Sequence, residues 1–563
     1  MIKNAFLLLV GFFIASESCL AISPKPAMAK QGMVVSEQYL ASQVGADILR
    51  AGGNAVDAAV AVGYALAVVQ PCCGNIGGGG FMLIHLVNGK DIFLNYREKA
   101  PLAAKPDMYL DAKGNLIPNK SMQGYLAVAV PGTVMGLETA LKKYGTMTRQ
   151  VVMAPAIKLA EQGFTLSPYD IQMLDEALTN FRQQQNVAAI FLNQNHPYQV
   201  GDRLVQRDLA TTLKRIAEEG ETVFYRGEIA KKIVQSSQAN GGILSLDDFA
   251  KYTVEELAPL QCHYRGYRIT SSPPPSSGGV TLCEIVGILE AYPLDYLGYH
   301  SAQGTHYVIE AMRFAFADRN NKLGDPDFVN NPLPLLLSKA YAQQIRKKIQ
   351  AYRATPSSEV NTDKPEKIST HTTHYSVVDN KGNAVSATYT LNSFFGAGVI
   401  AGDTGFFLND QMDDFSIKPG STNQFGLVQN NVNGIQPGKR PLSSMTPTIV
   451  SKDGHPFLVL GSPGGPRIIT SVLQTLLNVI DYGMTVQEAV DAPRYHHQWM
   501  PDSIDVEPFT FSADTTEKMA GMGYRFVGRG TWSAVETIMI DPKSKVFYGA
   551  NDNRRPDGKA VGY

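Results

Sequence analysis

The chain has 563 residues and a formal net charge of −1, with 50 Lys and Arg against 51 Asp and Glu. That balance provides no basic footprint for nucleic acid or for an anionic membrane surface, so neither is expected as a partner. Glycine is abundant, at 51 residues, and clusters beside predicted strands, which favours a large layered α/β body with tight turns.

Met1-Ile-Lys-Asn gives a short positive head, Ala5 to Ala15 is apolar, and Cys19-Leu-Ala21 offers small residues. These are the parts of a secretory signal peptide, residues 1–21, with cleavage after Ala21 or, as second choice, after Ala29. The apolar stretch is too short to cross a bilayer as a helix, and no later segment has the length and apolarity to do so. A periplasmic or secreted protein without a membrane span is expected. It keeps Cys72, Cys73, Cys262 and Cys283, whose spacing leaves buried thiols and disulfides both open and shows no Cys/His metal pattern.

Ser42 to Val69 is rich in alanine and interrupted by Gly52-Gly-Asn54, which predicts two packed helices. Gly77 to Gly80 leads into Phe81-Met-Leu-Ile84 and a second strand from Ile92 to Asn95. Lacking the Gly-Lys-Ser/Thr ending of a phosphate loop, the glycine run reads as a close-packing turn. Arg97 follows, most plainly a solvated strand-end charge. Val130 to Ile349 alternates helical patterns (Gly136 to Tyr144, Val152 to Gly163, Val280 to Leu289) with turns such as Ser271-Ser-Pro-Pro-Pro-Ser-Ser-Gly-Gly279. It reads as scaffold without chemistry of its own, and His306, Glu310 and Arg313 share one side of a helix as a polar cluster. Residues 355–371 carry Pro356, Pro365 and several charges without apolar periodicity, and are expected to be exposed.

From Thr372 the pattern changes. Two alternating, β-branched runs flank Asn380-Lys-Gly382, which fits a three-residue hairpin loop. That register sets Thr372 opposite Thr390 and His374 opposite Thr388. A threonine hydroxyl is a weak nucleophile until a base stands beside it, and one solution is its own α-amino group, freed by cutting the preceding peptide bond. Such an amine has a reference pKa of about 7.7 to 8.0 and takes a proton near neutral pH. Downstream, Asn409-Asp-Gln411-Met-Asp-Asp414 is a polar loop between apolar runs, and Ser443-Ser444 precedes a strand. Phe457-Leu-Val-Leu460, Gly461-Ser-Pro-Gly-Gly465 and Ile468 to Tyr482 spell strand, glycine turn and helix, whose amides suit an anion or an oxyanion. No metal is expected: His371 and His374 face opposite sides of a strand, and His496-His497 has no carboxylate at ligand spacing.

The run Thr-Thr-His-Tyr-Ser-Val-Val-Asp (372–379), Thr390-Leu-Asn392, Asn409-Asp-Gln-Met-Asp-Asp-Phe415, Lys439-Arg-Pro-Leu-Ser-Ser-Met445 and Gly461-Ser-Pro-Gly-Gly465 together resemble the bacterial γ-glutamyltranspeptidases, N-terminal-nucleophile hydrolases. The resemblance runs from about Ala29 to Tyr563. It implies a four-layer αββα sandwich that works without a cofactor. It also implies a cut between His371 and Thr372, giving a large subunit (22–371) and a small subunit (372–563) that stay together as a heterodimer. Substrates would be glutathione and other γ-glutamyl compounds, with water, amino acids or peptides as acceptors. By the same resemblance Thr372 is the nucleophile, Thr390 orients it, and the Gly464 and Gly465 amides hold the oxyanion. Arg97, Ser443 and Ser444 take the α-carboxylate, while Asp414, Gln411 and Asn392 take the α-amino group. Residues 419–439 match the family's lid loop, with Phe425 where many relatives carry tyrosine. Thr373 is the competing nucleophile. Other readings are a glutaryl or cephalosporin acylase, which would have no use for Asp414, and an exported binding protein that neither cuts itself nor turns over.

Overall fold

The computed structural model describes residues 23–360 and 372–563. The signal peptide and the peptide bond before Thr372 lie outside the described residues. Two seven-stranded antiparallel sheets form the centre. One runs, in spatial order, Lys559–Gly562, Gly32–Ser36, Thr373–Asp379, Ala384–Thr390, Gly79–His85, Asp91–Tyr96, Glu255–Leu257. The other runs Ala27–Ala29, Phe547–Ala550, Thr537–Ile540, His455–Leu460, Thr448–Lys452, Tyr267–Ser271, Leu260–Tyr264.

Side-chain alternation makes the four layers. In Thr373–Asp379 the odd residues Tyr375 and Val377 pack with helices Tyr39–Arg50 and Ala55–Val69. Val378 instead joins Met33, Val35, Phe81, Ile449 and Val459 in the core between the sheets. The outer face of the second sheet, through Ile269, Val450, Leu458 and Leu460, packs on helices Gly278–Leu289, Ala302–Lys322 and Arg467–Ile480. The αββα sandwich implied by the resemblance is therefore present.

The hairpin has the expected register, with Thr373 opposite Tyr389 and His374 opposite Thr388. Gly382 supplies the left-handed turn residue at φ 97°. Thr373–Asp379 also pairs with Gly32–Ser36, and Ala384–Thr390 with Gly79–His85. Strands from both sides of the 371/372 junction thus interleave in one sheet, and a break there leaves the ladder intact. The glycine run is a close-packing turn: a Cβ added at Gly78 would sit 1.9 Å from the Thr390 carbonyl oxygen.

One expectation needs correction and three gain detail. Arg97 is only 1% exposed, because strand Asp91–Tyr96 ends inside the body and Asp414 meets the guanidinium there. The segment from Thr355 is anchored at one point, where Ser357 is buried, its amide donates to Asp502 and its carbonyl accepts from Trp499, while Ser358 and Glu359 are exposed as expected. His306, Glu310 and Arg313 do share a helix face, but it is buried against Tyr524 and Asp502. The four cysteines among the described residues are oxidised, as Cys72–Cys73 and Cys262–Cys283. Spacing alone did not reveal that strand Leu260–Tyr264 and helix Gly278–Leu289 bring the second pair together.

Candidate active site

The alternation that aims Tyr375 and Val377 at the helices aims the even residues between the sheets. Thr372, His374 and Ser376 form one polar row, and Thr390, Thr388 and Ser386 form the row opposite. Thr372 Oγ1 lies 3.2 Å from Thr390 Oγ1, and Thr390 Oγ1 accepts from the Asn392 amide at 2.9 Å. His374 is held by Thr388 at 2.8 Å and Ser376 at 3.1 Å, and complete burial pushes its imidazole down to about 3. It stays neutral at working pH, a packing group and not a base. Thr373, one residue on, faces the other way and gives its hydroxyl to Gln70 at 2.7 Å. Strand parity thus separates the two candidate nucleophiles.

Thr372 opens on a narrow cavity of about 20 Å³. Its wall contains Arg97, Thr390, Asn392, Gln411, Asp414, Phe425, Ser443, Ser444 and Gly465. All the predicted site residues except Gly464, which stands one residue behind the wall, meet here from six separate stretches of chain. Asp414 sits on a short 3-10 turn, Gln411–Asp414, where its Oδ2 accepts from Arg97 Nη2 at 2.5 Å and from Gln411 Nε2 at 2.7 Å. Asp413 points elsewhere, to Ser121 and to the amide of Gln424 in the 419–439 loop. Burial raises the Asp414 carboxyl above its ordinary value and outweighs the opposing pull of Arg97. Burial likewise raises Asp413 to about 6 and Glu98, beside Arg97, to about 7.

Gly464 and Gly465 turn strand His455–Leu460 into helix Arg467–Ile480 at φ 130° and 56°, conformations that favour glycine. The helix has no side-chain cap, and its first two amides, those of Arg467 and Ile468, donate to the carbonyls of Gly464 and Gly465 at 3.1 Å. The Phe425 ring packs on Gly465, 2.8 Å from where a Cβ would stand, and closes the cavity from the loop side.

Residues 41–563 match the family model described as gamma-glutamyltranspeptidase. The chain belongs to the γ-glutamyltranspeptidase family. It is 55% identical over 552 residues to the glutathione hydrolase proenzyme of Pseudomonas sp. (strain A14), covering 96% of each chain. Among solved structures it is similar to the Helicobacter pylori gamma-glutamyltranspeptidase, with 46% identity and a TM-score of 0.57 over 61% of this chain and 97% of that one. It is also similar to the cephalosporin acylase of Bacillus halodurans, with 29% identity and a TM-score of 0.85 over 98% and 99% of the two chains. Like other members of the γ-glutamyltranspeptidase family, this chain is an enzyme of the self-cleaving N-terminal-nucleophile type.

Two supports of this γ-glutamyltranspeptidase site were invisible in the sequence. The Ser271-to-Gly279 stretch, read as a mere break in pattern, carries the Ser443–Ser444 turn: Ser277 Oγ donates to the Ser443 carbonyl at 2.6 Å and Ser276 Oγ to Met445 O at 2.6 Å. Arg319, near the end of helix Ala302–Lys322, lines the cavity and donates from Nη2 to Ser444 Oγ at 2.9 Å. Its signal was an Arg on a helix read as scaffold, and nothing local marks it as facing a cavity. The distractor histidines have ordinary roles: His496 is held by Thr470 and Gln498, and His497 by Asp502. Among the described residues no group of three or more His, Cys, Asp or Glu is arranged to hold a metal ion. Nor is any described helix long and apolar enough to cross a membrane.

Proposed function

We propose that this chain is a self-cleaving γ-glutamyltransferase and glutathione hydrolase. The observation that carries the reading is the Asp414 carboxylate, fixed by Arg97 and Gln411 in the same cavity as Thr372 and Thr390. A γ-glutamyl group differs from a glutaryl group by its α-ammonium, and a buried carboxylate is the group that distinguishes them. The fold similarity to a cephalosporin acylase leaves this distinction untouched, because fold does not fix the site.

In the precursor, Thr372 Oγ1 attacks the carbonyl carbon of His371. The C–N bond breaks as the C–O bond forms, and water hydrolyses the resulting ester. His371 is left with a carboxylate and Thr372 with a free α-amine, giving chains 22–371 and 372–563. The interleaved strands hold the two as a heterodimer. In the mature enzyme that amine takes the proton from Oγ1, which attacks the γ-carbonyl of glutathione or another γ-glutamyl amide. The Gly464 and Gly465 amides hold the oxyanion. The leaving amine takes the proton, and the γ-glutamyl ester passes to water or to the amine of an amino acid or peptide. Arg97, Ser443 and Ser444 receive the α-carboxylate. Gln411 and Asn392 assist Asp414 with the ammonium, and residues 419–439 act as the lid. Ala27–Ala29 is already an edge strand paired with Phe547–Gly549, which supports signal cleavage after Ala21 over cleavage after Ala29; export to the periplasm or medium follows from the signal peptide in the same reading.

A denaturing gel with N-terminal sequencing of the purified protein tests this reading. Two bands are expected, the smaller starting at Thr372, and Thr372→Ala should give one uncut, inactive band. A single intact wild-type band would favour the exported binder. A start at Thr373, or normal processing and turnover by Thr372→Ala, would sink the nucleophile assignment.

A further inference from the structure

Six arginines are buried among the described residues: Arg97, Arg313, Arg319, Arg440, Arg467 and Arg494. Five of them meet a carboxylate, with Asp414, Glu310, Glu255, Asp505 and Asp552 as partners in chain order. Arg319 is the exception. Its guanidinium, on a side chain 1% exposed, donates to Ser277 Oγ at 3.0 Å, to Asn320 Oδ1 at 2.9 Å and to Ser444 Oγ at 2.9 Å, all neutral acceptors. No described carboxylate lies within ion-pair distance of it.

A buried charge without a counter-charge is costly and is retained where a counter-charge arrives with a ligand. Arg319 lines the cavity that holds Thr372, and its bond to Ser444 puts it at the carboxylate end. Arg97, the other guanidinium there, is already committed to Asp414 at 2.5 Å and has Glu98 3.5 Å away. When substrate binds, Asp414 must divide its charge between Arg97 and the arriving ammonium. Of the two cavity guanidiniums, Arg319 is the one with no carboxylate at ion-pair distance, its donors going to neutral oxygens.

We infer that Arg319 is a specificity-determining residue, the second cation that answers the substrate's α-carboxylate while holding Ser444 Oγ toward it. This rests on the γ-glutamyl reading above and adds a group from the large subunit's helix Ala302–Lys322 to the small subunit's serine pair. The expected ligand chemistry is a carboxylate on the carbon bearing the amine. The acyl chain beyond it is indifferent to Arg319.

The test compares Arg319→Met and Arg319→Lys with wild type on three 4-nitroanilides. γ-Glutamyl carries both α-groups, glutaryl keeps the carboxylate without the amine, and 4-aminobutyryl keeps the amine without the carboxylate. Inhibition by L-glutamate against 4-aminobutyrate supplies the same comparison without turnover. Arg319→Met should lower kcat/KM for the γ-glutamyl and glutaryl anilides about a hundredfold, chiefly through KM, and weaken L-glutamate inhibition to match. The 4-aminobutyryl rate and 4-aminobutyrate inhibition should stay within about threefold, and Arg319→Lys should recover about tenfold of the loss. Conversion of each variant into two chains on a gel certifies its fold. Equal losses with and without the α-carboxylate would make Arg319 a structural anchor and overturn the inference, as would an unchanged KM in Arg319→Met. Failure of the underlying reading looks different: wild type itself would then prefer the glutaryl anilide.

Discussion

Replacing Asp414 by asparagine keeps the shape of the side chain and the contact with Gln411 but removes the charge that selects the ammonium in the proposed function. At hydrogen-bond distance and the effective dielectric of a protein site, an ammonium–carboxylate attraction is on the order of 4 kcal/mol before desolvation is deducted. Truncating one member of a buried charged pair costs about 2 to 5 kcal/mol. For γ-glutamyl-4-nitroanilide, kcat/KM should therefore fall by a factor of about a hundred to a thousand. The glutaryl anilide has no ammonium to lose, and its carboxylate no longer faces a nearby anion, so its rate should hold or rise. The decisive quantity is the ratio of the two rates, measured on protein already shown to have cut itself. A pH profile adds an independent mark. Burial sets the Asp414 carboxyl above its ordinary 3.8, so γ-glutamyl kcat/KM should fall on the acid side at a pH above that value. The glutaryl profile should lack this limb. A parallel loss on both anilides in Asp414→Asn, with the ratio unmoved, would refute the reasoning.

Glu98 is raised from 4.5 to about 7 by burial, so the folded state binds its proton more tightly than the unfolded chain. Its stabilising contribution is complete below pH 4.5 and is lost as pH rises through 7; Glu98→Gln should remove that loss, worth about 3 kcal/mol. The Tm of Glu98→Gln relative to wild type should climb between pH 5 and pH 8, and a flat difference would count against it. Phe425 is 4% exposed over Gly465, and Phe425→Ala removes an aromatic cover worth about 1.5 to 3 kcal/mol of burial. Its KM for γ-glutamyl substrates should rise about tenfold or more; an unchanged KM would show that the lid does not bear on bound substrate. The Cys262–Cys283 bond spans 21 positions, and loop-closure entropy puts its loss at about 3 kcal/mol. The double alanine variant should melt earlier in a denaturant titration while kcat stays within about twofold of wild type, and an unshifted midpoint would contradict the estimate.

Local rules reached far in this sequence because its chemistry sits on regular elements. Period-two alternation around Asn380-Lys-Gly382 determined the hairpin register, and with it that Thr372 stands opposite Thr390, whereas only the packed sheet showed Thr373 turned away onto Gln70. The glycines at 464 and 465 likewise announced a strand-to-helix turn, since few other residues tolerate its backbone. Burial and long-range pairing were another matter, because they depend on which surfaces meet. Arg97 reads as a solvated end of strand until the 3-10 turn carrying Asp414 closes over it. The Ser-Pro run from Ser271 reads as a break until Ser443 is laid against it, and Arg319 is an unremarkable helix residue until the second sheet brings Ser444 to its tip. Hydrogen bonds inside a strand pair are set by neighbours in sequence, whereas the contacts that line the cavity, Arg97 with Asp414 and Arg319 with Ser444, join residues 317 and 125 positions apart that only the packed sandwich brings within 3 Å of one another.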